Sequence, residues 1–91
     1  MNNIFFEDQG WTKVVSPIYA THNIDIYEKV KVESEENIQK YILLIDNLNN
    51  SCQISDYAGS KSGDGIKNII FKGTILNEKD LTEAQRLLNI K

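Results

Sequence analysis

The chain holds one cysteine, one proline, one histidine and one arginine among its 91 residues. A lone Cys52 excludes an internal disulfide and any zinc site built from cysteines alone, because both need at least a pair. Cys52 and His22 are the only thiol and imidazole available as nucleophile and base. Each is alone of its kind, and nothing in the sequence brings them together. Free cysteine at the start of a strand usually behaves as a small buried hydrophobe. With Arg86 as the only arginine and thirteen acids against ten bases, the chain lacks the basic excess of a duplex binder. Nucleic acid is therefore not an expected partner.

Long apolar runs are also missing. The longest spans residues 41–45, far short of the roughly 20 residues needed to cross a bilayer, and the first residues show no basic n-region followed by an apolar stretch. No membrane partner is expected, and a cytoplasmic location is the default for a chain without disulfides. Few alanines beside many Ile, Asn and Lys residues match an AT-rich genome, such as that of a low-GC bacterium, its phage or another mobile element.

What is present describes one small α+β domain. Hydrophobic residues make up 41% and charged residues 25%, a globular balance. A chain of this size buries about 60–65% of its unfolded surface, enough for one modest core. Residues 4–15 read as a hairpin, with Ile4, Phe5 and Phe6 before a turn ending in Gly10 and Trp11 to Val15 after it. Residues 24–32 alternate, placing Ile24, Ile26, Val30 and Val32 on an expected buried face and Asp25, Tyr27, Lys29 and Lys31 on the other. Ser34, followed by Glu35 and Glu36, has the signature of a helix cap. Residues 38, 41, 42, 44, 45 and 48 then share an arc of a helical wheel. Residues 52–58 and 66–76 read as strands, and a last helix follows a cap at Asn77 or Asp80, with Leu81, Ala84, Leu87 and Leu88 inward. The expected order is β-β-β-α-β-β-α, an antiparallel-rich sheet of four to five strands with two helices on one face.

No motif commits this chain to a reaction or a cofactor. Residues 59–65 fail as a phosphate loop because Lys61 stands between Ser60 and Ser62 and a strand follows. They fail as a nucleophile elbow because Lys61 holds the position a serine would need. They read as a hairpin loop, with the alternative that amides and Lys61 form a nest for a small anion. Glu28 falls on the expected apolar face and needs either a partner such as Lys67 or Lys72 or a role as a functional acid. Tyr27, Lys29 and Lys31 read as a solvated sheet face. On the expected helix Leu43 points away from the apolar arc, among Gln39, Lys40 and Asn47, and makes a candidate anchor for a partner. The leading functional expectation is a non-enzymatic module that binds another protein, as an inhibitor, adaptor or immunity-type factor does, with self-association open. A small-molecule or nucleotide binder using residues 59–65, with an oligomer whose pocket lies between chains as one form of it, is the alternative, and a small hydrolase using Glu28 or Cys52 is third.

Overall fold

The computed structural model describes residues 3–75 and 77–90. Its centre is a five-stranded antiparallel sheet in simple sequential order, β1 (Thr12–Val14), β2 (Ile24–Glu33), β3 (Asn37–Asp46), β4 (Ser51–Ser60) and β5 (Gly65–Thr74). Helix α1 (Asn3–Asp8) precedes β1, the short α2 (Pro17–Thr21) links β1 to β2, and α3 (Glu78–Leu87) follows β5. The α+β class and the antiparallel sheet with helices on one face are as the residue pattern implies. The Leu76 end of the last expected strand lies outside the described residues.

Two segments differ from expectation. Residues 4–6 belong to α1 and form no hairpin strand. There Phe6 stacks on Tyr27 of β2 with ring centroids 4.4 Å apart, and both are buried. That tertiary contact outweighs the β-propensity of the Ile-Phe-Phe run. The larger correction concerns residues 34–48, which form no helix. They contain the β2–β3 turn, all of β3 and the start of the β3–β4 turn. The Asn37 N–H does donate to Ser34 Oγ at 3.2 Å, the bond a helix cap would make, while the Ser34 N–H donates to Asn37 O at 2.9 Å and closes a hairpin turn instead.

Register decides which side chains share a face. Tyr27 lies opposite Leu43, which lies opposite Ile54, which lies opposite Phe71. Beside that row, Ile45 faces Cys52. Helices α1 and α3 cover this face, bringing Phe6, Leu81, Ala84 and the following Ile90 into one core with Tyr27, Leu43, Ile45, Cys52, Ile54, Ile75 and Trp11. Buried Trp11 donates its Nε1–H to Gln85 Oε1 of α3 at 3.1 Å, tying the chain before β1 to the last helix. Asn77 caps α3 by accepting the Asp80 N–H at 3.1 Å. Leu87, expected inside, is exposed, and Gln85 takes the inward position.

The alternation in β2 therefore keeps the expected period with the opposite facing from Ile24 to Val30, and a register shift between Val30 and Val32 then sets Val32 opposite Gln39 on the covered side. Tyr27 is in the core, while Ile24 and Ile26 are half-buried and Val30 and Val32 exposed. Charged neighbours hide this in the sequence. The stem of Lys29 reaches over Trp11, with Nζ 5.6 Å from the ring centroid, and Lys31 Nζ sits 4.5 Å from that of Tyr41. These lysines and Asp25 rim an aromatic core and do not mark a wet face.

Candidate functional site

Alternate positions in the strands build a second face that neither α1 nor α3 covers. Pairing places Ile26 opposite Leu44, Glu28 opposite Ile42, and Val30 opposite Lys40. It continues from Leu44 to Gln53 and from Ile42 to Ser55, then from Ser55 to Ile69 and from Gln53 to Lys72. Ile24, Ile26, Ile42 and Leu44 are half-buried there, and Val30 and Ile69 are each 51% exposed. The small Ser55 at its centre is buried beneath larger neighbours.

Two shallow depressions mark the ends of this face. One, of about 530 Å³, is lined by Ile24, Leu44, Asp46, Gln53, Lys72 and Thr74. The other, of about 480 Å³, gathers Ile42, Tyr57, Lys40, Lys61 and Lys67 near the hairpin turns. Glu28 lies on this face and pairs with Lys40, whose Nζ is 5.6 Å from the Tyr57 ring centroid. The expected acid thus has a lysine partner, one strand over and not on β5, and it sits on a half-exposed surface, not in the core. A paired carboxylate at such a site contributes little net stability and fixes the orientation of both side chains.

The expected partner patch of Leu43, Gln39, Lys40 and Asn47 does not form. Leu43 is 0% exposed at the centre of the covered face, because strand geometry sends residues 42 and 43 to opposite sides where a helix would turn them only 100° apart. Gln39 is exposed on the covered side, opposite Ala58. Asn47 sits in the β3–β4 turn and donates to Asn23 O and Asp25 Oδ2. Lys40 alone reaches the uncovered face.

Within the expected 59–65 hairpin loop, residues 61–64 form the β4–β5 turn, and Gly59 and Ser60 of β4 and Gly65 of β5 lie in the strands. The Ser60 N–H donates to Asp64 O, Gly63 N–H to Ser60 O, Asp64 N–H to Ser60 Oγ, and Lys61 N–H to Glu36 O in the neighbouring turn. Ser60 Oγ also meets Ser62 Oγ at 2.8 Å, and Lys61 pairs with Glu33 at 2.9 Å. These amides are turned to the protein itself, leaving few to cradle an anion. Gly63, at φ 108°, makes the left-handed step.

The remaining candidate nucleophile is withdrawn from solvent. Cys52 is buried, and burial pushes its thiol up to about 11. His22 is exposed at the end of α2. No cluster of three or more metal-binding side chains occurs among the described residues. No described helix is long and apolar enough to cross a membrane.

No family model, curated protein or solved structure matches this chain.

The surface must therefore be read from its own chemistry. From the sequence, Ile42 and Leu44 are expected only as core residues of a helix and Lys67 and Lys72 only as partners for Glu28, and Tyr57 is not singled out. The signal was available in the unbroken apolar run 41–45, which as a strand supplies apolar residues to both faces of the sheet.

Proposed function

We propose that this protein is a non-enzymatic binding module whose partner is another protein, docking on the uncovered sheet face. The observation that supports this reading is the row of Ile24, Ile26, Ile42 and Leu44, flanked by exposed Val30 and Ile69, on the face opposite α1 and α3. Aliphatic side chains grouped on one face, with the Glu28–Lys40 pair and Ser55 among them and Lys72 beside them, have the mixed apolar and polar composition of a protein interface. An inhibitor, an adaptor or an immunity-type factor each needs such a surface and no catalytic set.

The test is affinity capture from the cells that make the protein, with wild type and a Val30→Glu/Leu44→Glu variant as baits. Circular dichroism and melting establish that both are folded. The expected result is a partner retained by wild type in stoichiometric amount and lost with the variant. Equal capture by both, or capture of nothing, counts against the reading.

One observation favours a second reading, a small anionic ligand bound beside the β4–β5 turn. Lys40, Lys61 and Lys67 converge there with Tyr57 around one depression. Glu28 and Glu33 neutralise two of those lysines, which places this reading second. Native mass spectrometry distinguishes them, since a ligand released on denaturation supports the second and a bound protein the first.

A further inference from the structure

Strand β5 is last in the sheet, so its outer edge pairs with no other strand among the described residues. It is ten residues long, and residues 65–70 are all exposed. The opposite edge carries only the three-residue β1. An open edge of this length is a template for another strand unless it is guarded.

The ladder shows which groups that edge offers. At one end Ile75 N–H donates to Asn50 O at 3.1 Å, and at the other Ser60 N–H donates to Asp64 O at 2.8 Å. Antiparallel pairs alternate between bonded and non-bonded, and the register shifts once, near Ile54/Ser55. Counting from both ends turns the backbones of Ile66, Asn68, Phe71 and Gly73 toward β4. Those of Lys67, Ile69, Lys72 and Thr74 then face outward. The same four residues lie opposite Tyr57, Ser55, Gln53 and Ser51, so their side chains belong to the uncovered face. Free backbone groups and the apolar surface thus form one continuous region.

Charge selects what can pair there. Two of the ten bases and none of the thirteen acids lie on β5, so removing its lysines from the chain's net charge of −3 leaves −5 on the rest. Neither Lys67 nor Lys72 has an ion-pair partner among the described residues. Two copies joined through β5 would bring four lysines together on one edge with no acid between them, which disfavours self-pairing. A strand of opposite charge meets no such barrier.

We propose that the free edge of β5 binds an extended acidic-and-aliphatic segment of a partner protein as a sixth strand, with acids opposite Lys67 and Lys72 and an aliphatic side chain opposite Ile69. Main-chain hydrogen bonds hold the segment and the alternate side chains select it. This proposal rests on the reading of the protein as a protein-binding module.

The experiment titrates the full chain with three labelled peptides of β5's length, followed by fluorescence anisotropy at low ionic strength. One alternates Glu and Val with Thr, one carries Lys in place of Glu, and one is the acidic peptide N-methylated at alternate residues. The acidic peptide is expected to bind about tenfold tighter than the basic one, from two opposite-charge cross-strand pairs. N-methylation should abolish binding, and Lys67→Glu/Lys72→Glu, both at exposed positions, should reverse the charge preference. Hydrogen exchange should slow at Lys67, Ile69, Lys72 and Thr74 in the complex. Equal binding of acidic and basic peptides, no binding of either, or binding unaffected by N-methylation overturns the proposal. If it falls while a partner captured from cells still depends on Val30 and Leu44, only the edge mode is lost. If that dependence is also missing, the protein-binding reading falls with it.

Discussion

Replacing neighbouring residues Ile42 and Leu43 by threonine separates the two faces of the sheet. Threonine is β-branched, as Ile42 is and Leu43 is not, so strand propensity is not lowered much at either position. Leu43 is completely buried, opposite Tyr27 on one side and Ile54 on the other. Leu43→Thr removes apolar volume and buries a hydroxyl without a provided partner, at a cost of about 3–4 kcal/mol. Ile42 lies on the uncovered face and is half-buried, so Ile42→Thr should cost about 1 kcal/mol or less, in proportion to the area it hides. A chain of this size has roughly 5–14 kcal/mol in total, so the Leu43 variant loses a large part of its stability. At roughly 4–8 °C per kcal/mol, its Tm should fall at least 12 °C, and that of the Ile42 variant by less than about 8 °C. Urea unfolding followed by the fluorescence of Trp11, which is buried in the same core, gives both free-energy losses, and thermal melts followed the same way give both Tm shifts. A helix over residues 34–48 would reverse the order, with Ile42 in the core and Leu43 in solvent. If Ile42→Thr proves the more damaging change, the assignment of faces is wrong.

Two further outcomes follow from local chemistry. Burial holds the Cys52 thiol near 11, so a thiol reagent should leave the native protein unlabelled near neutral pH and label it fully in urea. Cys52→Ser should not alter binding on the opposite face, and rapid stoichiometric labelling of folded protein would contradict this. In the β3–β4 turn, the Asn49 side chain, donating at 2.8 Å, and the backbone N–H groups of Asn49 and Leu48 hold the Asp46 carboxyl below its ordinary 3.8. Its folded value lies below its unfolded one, so its contribution is complete above the unfolded value and is lost as pH falls through the lowered one. An NMR titration should find Asp46 below 3.8 and Asn49→Ala should bring it back up, whereas no change would show that the side-chain bond is not the cause.

The sequence made the sheet legible where strands alternate or end in marked turns. The β4–β5 hairpin follows from its glycines and Asp64, and α3 from the Asn77 cap with Leu81 and Ala84 four and seven positions on. The β3 strand was obscured because both of its faces are apolar. Tyr41, Leu43 and Ile45 go one way and Ile38, Ile42 and Leu44 the other, which on a helical wheel resembles one broad stripe. Ser34 added to the ambiguity, since one side-chain bond to the third residue on serves a helix cap and a hairpin turn alike. The facing of β2 was hidden because charge dominates hydropathy, and lysine stems over Trp11 and Tyr41 look like solvated residues until the aromatics beneath them are placed. The candidate surface inherited these errors. Its residues could be found only after β3 was known to be a strand, for pairing is what brings Ile26, Leu44 and Lys72 to the same side.

The claim that one sheet face is uncovered and available is best tested by solvent access to isoleucine methyl groups, which lie on both faces. With the δ1 methyls labelled and a soluble paramagnetic agent added, Ile26, Ile42 and Ile69 should broaden strongly in the free protein, while Ile45, Ile54 and Ile75, all buried, should remain sharp. Addition of the captured partner should then protect Ile26, Ile42 and Ile69. Protection of those three methyls in the free, monomeric protein would mean that the face is already covered, and would contradict the account.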